Sequence, residues 1–240
     1  MMTDTSQNPP LIELKSVTKV YGTGSASLAA LRGVDLTITQ GEFVAVMGPS
    51  GSGKSTCLNI LGCLDIPTAG RYLFKGVDVG DLSRNQRALL RRNYLGFVFQ
   101  GFNLMQRTSA LENVELPLIY RGVQRHERHR RAREALAAVG LAGWENHTPA
   151  ELSGGQQQRV AIARAMVIEP QVLLADEPTG NLDSSMSREI MNLLCDFNRQ
   201  EGVTIVMVTH EHAMARYAGR TVSFLDGLIE SEVVNKEVSA

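Results

Sequence analysis

The run Gly48-Pro49-Ser50-Gly51-Ser52-Gly53-Lys54-Ser55-Thr56 constrains this chain more than any other stretch. It follows the apolar run Phe43-Val44-Ala45-Val46-Met47, which reads as a buried parallel strand, and it leads into Cys57-Leu58-Asn59-Ile60-Leu61, which reads as helix. Strand, glycine-rich loop, helix is the order a phosphate cradle requires. Gly48, Gly51 and Gly53 lack Cβ atoms, so the backbone can take positive φ and turn consecutive N–H groups toward an anion. The helix that follows adds its N-terminal dipole. Lys54 supplies a full positive charge for the β- and γ-phosphates of a nucleotide, and the Ser55 hydroxyl is placed to ligate Mg²⁺. The competing explanation is a glycine-rich turn with an incidental lysine. With Gly at about 7% of residues, a chance match to G-x-x-x-x-G-K-[S/T] in a chain this long is on the order of one in a hundred.

The chain has 240 residues, which suits one large α/β domain or one domain with a sizeable insertion. A formal net charge of −1 gives no general field for drawing in nucleic acid, which is not expected as a partner, or an anionic membrane. The longest apolar stretches are strand-sized, such as Val203 to Val208 with Thr204 in its centre, and none approaches the roughly 20 residues of a spanning helix. Met1 to Pro10 is polar, with neither a basic start nor an apolar core, and is expected to be a disordered lead-in and not a signal peptide. Cys57, Cys63 and Cys195 form no C-x-x-C pair, so neither a disulfide framework nor a zinc site is indicated. They read as small core residues in a reducing cytoplasm.

Taken in order, Leu11 to Tyr21 alternates apolar and polar residues as a half-exposed antiparallel strand would. Gly22 to Ser25 turns the chain, and Leu28 to Ile38 is a second such strand. Tyr21, alone before the glycine turn, packs a strand edge or stacks on a base. Pro67 to Gly70 reads as a turn, Arg71 to Phe74 as a short strand, Leu82 to Arg92 as a helix, and Leu95 to Phe99 as another buried strand ending at Gln100. Residues 101–167 contain no convincing buried strand and read as helices over Leu111 to Leu118, Arg125 to Val139 and Gly154 to Val167. The arginines 121, 125, 128, 130, 131 and 133, with His126 and His129, read as a solvated helix face in preference to a docking patch.

Further stretches carry chemistry. In Leu152-Ser153-Gly154-Gly155-Gln156, a serine and two glycines open a helix, so a second set of backbone N–H groups is free to meet an anion. Val172 to Asp176 reads as a buried strand ending in a metal-holding carboxylate, and Glu177 beyond it is suited to orient and deprotonate a water. Asp183 precedes a helix over Ser184 to Arg199. Val203 to Val208 is a last buried strand, and His210 lies just past its carboxyl end, where open α/β sheets bind ligands. Arg220 to Leu225 and Leu228 to Val234 flank Asp226-Gly227 as a hairpin, followed by a tail over 235–240 expected to fray.

Together these residues resemble the nucleotide-binding subunit of an ABC transporter, over about Leu11 to Glu232. Gly48 to Thr56 matches its Walker A motif, Gln100 its Q-loop, Leu152 to Gln156 its LSGGQ signature, Val172 to Asp176 its Walker B motif, Asp183 its D-loop and His210 its switch histidine. Gly180-Asn181 departs from the Ser-Ala that many members carry there. The segments Leu61 to Asp65, Gly96 to Gln100, Glu112 to Leu118 and Ala175 to Asp183 look most like the MacB and LolD branch, which serves macrolide or peptide export and lipoprotein release. The resemblance implies an ABC ATPase fold, α/β, with a P-loop NTPase core of mixed sheet and antiparallel β subdomain (11–100 and 168–234) and an inserted α-helical subdomain (about 101–167), within one domain over 11–234.

It also implies ATP and Mg²⁺ as ligands. Tyr21 would stack on adenine, and Ser55, Gln100 and Asp176 would hold the metal. Glu177 would be the catalytic base, with Lys54, Gln100 and His210 at the γ-phosphate. Ser153 to Gln156 and Asp183 would complete the site of a second copy in an ATP-dependent head-to-tail homodimer. The implied partner is an FtsX- or MacB-like integral membrane permease, which a periplasmic adaptor can accompany, docked at Phe102 to Met105. The chain would then lie peripherally on the cytoplasmic face of the membrane. The alternative is a non-transport ABC ATPase clamping nucleic acid or a ribosome, but such proteins carry tandem cassettes, coiled-coil insertions or zinc modules. A P-loop kinase or GTPase fits less well, because there is no guanine-specificity N-K-x-D motif and LSGGQ would be left unexplained.

Overall fold

Alternating apolar and polar residues build one sheet of this protein and continuous apolar runs build the other, as expected for one half-exposed and one doubly covered layer. The computed structural model describes residues 10–22 and 24–235. The strands are β1 (Pro10–Tyr21), β2 (Leu28–Thr39), β3 (Phe43–Met47), β4 (Ala69–Phe74), β5 (Val77–Asp78), β6 (Leu95–Phe99), β7 (Val172–Asp176), β8 (Thr204–Val208), β9 (Arg220–Leu225) and β10 (Leu228–Val234). The helices are α1 (Lys54–Leu61), α2 (Arg84–Tyr94), α3 (Ala110–Tyr120), α4 (Arg125–Ala138), α5 (Gly154–Met166), α6 (Ser184–Glu201) and α7 (His212–Ala215).

A four-stranded antiparallel sheet has the order β2-β1-β4-β5, and a six-stranded sheet has the order β10-β9-β3-β8-β7-β6. In the larger sheet only β10 runs antiparallel to its neighbour. Side-chain alternation along its central strands divides the interior in two. Val44, Val46, Leu174, Val206 and Val208 face the antiparallel sheet and α1, while Ala45, Met47, Leu173, Ala175, Ile205 and Met207 face the helices α3 to α6. The carboxyl ends of β3, β6, β7 and β8 therefore share one edge, and each releases its loop there.

Caps move several element boundaries from where periodicity puts them. Ser83 and Gln86 form a capping box, so α2 begins at Arg84 and not at Leu82. Ser109 and Glu112 do the same for α3, which runs through Pro117 to Tyr120. Two terminal expectations are corrected. Pro10 is not in a disordered lead-in but pairs with Thr39 in β1. Asn235, expected in the fraying tail, is tied to the fold: its Nδ2 donates to the Ala218 carbonyl at 2.7 Å and its backbone N–H to the Gly219 carbonyl at 2.9 Å. The lead-in over residues 1–9, Thr23 of the first turn and the tail over 236–240 lie outside the described residues.

Between β6 and β7 the described chain contains helices and no strand. Three of its clustered arginines are neutralised in place: Arg130 pairs with Glu127 and Glu134, Arg131 with Glu169 and Arg128 with Glu115. Arg121 instead donates to the carbonyls of Arg92 and Asn93, holding α3 against the end of α2. Among the described residues no helix is long and apolar enough to cross a membrane.

Candidate active site

The loop after β3 is packed from below as well as open above. Gly48 has φ 145°, and a Cβ there would lie 2.2 Å from the carbonyl oxygen of Phe224 in β9. Gly53, the N-cap of α1, has φ 104°, and its Cβ would lie 2.5 Å from the Ala30 carbonyl in β2. Both positions are reserved for glycine by conformation and by contact with backbone that cannot yield. Lys54 is buried, and its Nζ donates to the carbonyls of Gly48 at 2.9 Å and Pro49 at 2.8 Å, so the ammonium is curled into the loop. The buried Ser52 hydroxyl has no hydrogen-bond partner among the described residues.

The loop lines a cleft of about 710 Å³ together with Tyr21, Glu177, His210 and the turn Asp226-Gly227. Glycines without side chains above the loop, a buried ammonium and the start of an eight-residue helix make this cleft chemically suited to a polyphosphate.

The acidic pair stands at the end of β7. Burial raises the Asp176 pKa and the neighbouring Glu177 charge adds to this, while Lys54 pulls the other way. Glu177 leaves the strand in a left-handed conformation with φ 46°, and its N–H donates to the Val208 carbonyl at 2.9 Å. Its carboxylate Oε1 is thereby brought 2.9 Å from Nδ1 of His210.

Tyr21 is fixed by a partner that the sequence did not reveal. Its hydroxyl donates to Asp65 Oδ2 at 2.8 Å, while Lys19 Nζ donates to Asp65 Oδ1 at 2.5 Å and sits 4.9 Å from the tyrosine ring centroid. Burial alone would raise the Asp65 carboxyl, but these two bonds, with the Ile66 N–H and the Lys19 charge, outweigh it and hold the group below its ordinary pKa. No local signal links residues 44 positions apart.

Ser153 to Gln156, Gln100 and Asp183 do not line this cleft. Ser153 and Gln156 form a capping box that starts α5, so the Gln156 side chain is used within its own helix. Gly155 faces inward, where a Cβ would lie 2.1 Å from the Met186 methyl on α6. At Gly154 the nearest atom to a Cβ would be Leu182 Cδ2, at 3.5 Å. Asp183 caps α6 by accepting from the N–H groups of Met186 and Ser185, which hold its pKa down. Gln100 lies against Asn181, whose Nδ2 donates to the Gln100 carbonyl at 2.9 Å.

A second, more apolar groove of about 680 Å³ opens between β6 and α3, lined by Leu64, Phe97, Leu116, Pro117, Tyr120 and Ile168 with Arg91, Arg92 and Arg164. At its edge Phe102 and Asn103 both take positive φ. Arg164, near the end of α5, donates to their carbonyls at 2.9 and 2.6 Å. Burial of the guanidinium lowers its pKa.

Comparison with known proteins agrees with this geometry. Residues 31–180 match the family described as ABC transporter. The chain is 51% identical over 232 residues to the macrolide export ATP-binding/permease protein MacB of Hyphomonas neptunium, covering 97% of this chain and 36% of that protein. It thus spans about a third of the length of such MacB relatives. It is 49% identical to the uncharacterized ABC transporter ATP-binding protein MJ1508 of Methanocaldococcus jannaschii, covering 94% of this chain and 100% of that protein. The ATP-binding cassette MJ0796, solved as a dimer in a post-hydrolysis state bound to ADP and Pi, superimposes with a TM-score of 0.87 and 47% identity, covering 94% of this chain and 99% of that one. A fold shared with these cassettes, carrying a phosphate loop, an acidic strand end and its histidine in one cleft, places the chain in the ABC transporter family as an ATP-hydrolysing cassette.

Proposed function

We propose that the chain is the ATP-driven motor of a membrane exporter of the MacB and LolD kind, and that it works as a head-to-tail dimer. One observation carries this. The chain has two helix starts stripped of side chains, at Lys54 and at Gly154, and only the first shares a cleft with Glu177 and His210. A second copy presenting its α5 start to that cleft would supply what one chain leaves elsewhere.

In this reading Tyr21, oriented by Asp65, stacks on adenine, and Gly48 to Thr56 with Lys54 binds the phosphates. The Ser55 hydroxyl and the carboxylate of Asp176, with the Gln100 amide oxygen, would hold Mg²⁺. Their oxygens suit a hard cation. Among the described residues no group of three His, Cys, Asp or Glu could hold a metal. Bound there, Mg²⁺ supplies charge neutralisation along the phosphate chain. Glu177, oriented by His210, positions the attacking water and receives its proton. The backbone N–H groups after Ser153 of the partner copy stabilise charge on the γ-phosphate, and closure excludes bulk water.

The groove beside Phe102 and Asn103 receives the permease at the membrane's cytoplasmic face. The MacB relatives are named for macrolide export, which makes macrolides one cargo class, with peptides and lipoproteins the others that the resemblance implies, and a periplasmic adaptor would be a further component.

The test is Glu177→Gln. The variant should bind ATP, elute as a dimer only when ATP is present, and hydrolyse at least ~10²-fold more slowly than wild type. A monomeric variant with wild-type turnover would remove both the base and the composite site.

A further inference from the structure

We propose that Gly180 and Asn181 form a seat that orients the Gln100 carboxamide, making Asn181 a positioning residue for the metal-bound nucleotide. This rests on the role given above to the Gln100 oxygen.

The two residues meet across 81 positions of sequence through reciprocal bonds. Asn181 Nδ2 donates to the Gln100 backbone carbonyl at 2.9 Å, and Gln100 Nε2 donates to Asn181 Oδ1 at 3.4 Å. One asparagine amide thus holds both the backbone and the side chain of Gln100. The consequence is directional. A glutamine amide offers an NH₂ donor and an oxygen acceptor on the same carbon, and engaging the NH₂ leaves Oε1 as the outward end. An oxygen is the atom type that Mg²⁺ takes.

Gly180 supports this independently. Its backbone is not in the left-handed region, so conformation does not demand glycine there. Packing sets it against Gln100 instead: a Cβ would lie 2.7 Å from Gln100 Nε2, 3.2 Å from Cδ and 3.3 Å from Cγ. A side chain at 180 would therefore have to displace the Gln100 amide from where it lies.

The seat is mounted on a fixed frame. The Gly180 N–H donates to the Glu177 carbonyl at 3.1 Å, and the buried Gln158 of α5 donates to the Pro178 carbonyl at 2.6 Å. Asp183 closes the turn by capping α6. Gln100 itself follows Phe99, which pairs with Asp176 across β6 and β7. The turn that carries Glu177 at one end and Asp183 at the other therefore sets where the Gln100 amide points.

The experiment is equilibrium binding of a fluorescent ATP analogue in the Glu177→Gln background, with Mg²⁺ titrated in and with EDTA as the metal-free arm. Gly180→Ala and Asn181→Leu should each raise the Mg²⁺ concentration for half-saturation by ~3- to 10-fold, the scale of one lost hydrogen bond, with binding in EDTA unchanged. Asn181→Asp, which keeps the acceptor for Nε2, should fall between Asn181→Leu and the parent. In a Gln100→Ala background Asn181→Leu should add nothing. If Gln100→Ala leaves the Mg²⁺ dependence unchanged, the role of Gln100 is wrong. If Gln100→Ala shifts it and both seat variants do not, the seat is wrong. Weakening that is equal with and without Mg²⁺, or that persists without Gln100, would show that the turn is merely structural and would also overturn the proposal.

Discussion

Glu177 Oε1 and His210 Nδ1 are 2.9 Å apart, joining side chains that leave the ends of adjacent strands β7 and β8. Glu177 makes this contact from a left-handed backbone conformation, with φ of 46°, just past the end of β7. In the proposed mechanism His210 therefore orients the base. His210→Ala is expected to lower kcat for ATP hydrolysis by ~10- to 100-fold, within the range of a lost acid–base group or its orienting partner. Binding of ATP, measured by fluorescence of a labelled analogue, should change little. A large loss of affinity with normal turnover would assign His210 to ground-state binding instead.

Gly48→Ala tests whether the loop's glycines serve the anion or the packing beneath. With a Cβ directed at the Phe224 carbonyl, the variant should lose at least ~2 kcal/mol of stability in urea unfolding even without nucleotide. Gly51→Ala meets no atom within 4 Å, so only its φ of 79° opposes it, and about 1 kcal/mol is expected.

The glycines of the signature should separate in the opposite way. Gly155→Ala must displace the Met186 side chain, and the double variant with Met186→Ala should recover thermal stability. Gly154→Ala has room within its own chain, so its melting temperature should match wild type. ATP-dependent dimerisation should nonetheless weaken, by ~10-fold or more if the methyl displaces one hydrogen bond to the facing phosphate. Light scattering across a protein concentration series would read this, and unimpaired dimerisation would place the facing nucleotide elsewhere.

The Lys19–Asp65–Tyr21 cluster gives a pH signature. Asp65 is held below its ordinary pKa in the folded protein, so its contribution is fully present above the unfolded value, near pH 4, and is lost as pH falls through the folded value. Asp65→Asn should cost about 1 kcal/mol at neutral pH, a figure reduced for partial exposure. The gap between variant and wild type in urea midpoints should close below pH 4. A gap that is constant with pH would mean that the carboxylate charge contributes nothing.

The parts legible in the sequence are those whose cause is local. The strands β3, β7 and β8 read as apolar runs, interrupted only by Thr204 at the start of β8 and Asp176 at the end of β7, because both of their faces are covered. The phosphate loop announces itself in nine consecutive residues. Contacts across the chain were not legible: the spacing explains Gly51, but Gly48 and Gly53 also answer to carbonyls at Phe224 and Ala30. Tyr21 could be seen as a lone aromatic, yet Asp65, which orients it, is 44 residues away. Asn181 was visible only as a departure from the family pattern, and its partner Gln100 emerges once β6 and β7 are paired. Pro10 and Asn235 were assigned to the ends because termini usually fray, but each has a backbone partner that holds it.

Phe102 touches both ends of α5. Its carbonyl is held by Arg164 near the helix's last turn, and its ring tip comes within 3.8 Å of where a Cβ on Gly154 would lie, at the first. A single residue at the rim of the apolar groove therefore lies within reach of both the first and the last turn of α5. In the proposed dimer, a partner seated in the groove would meet the same residue that stands beside the helix start offered to the second nucleotide.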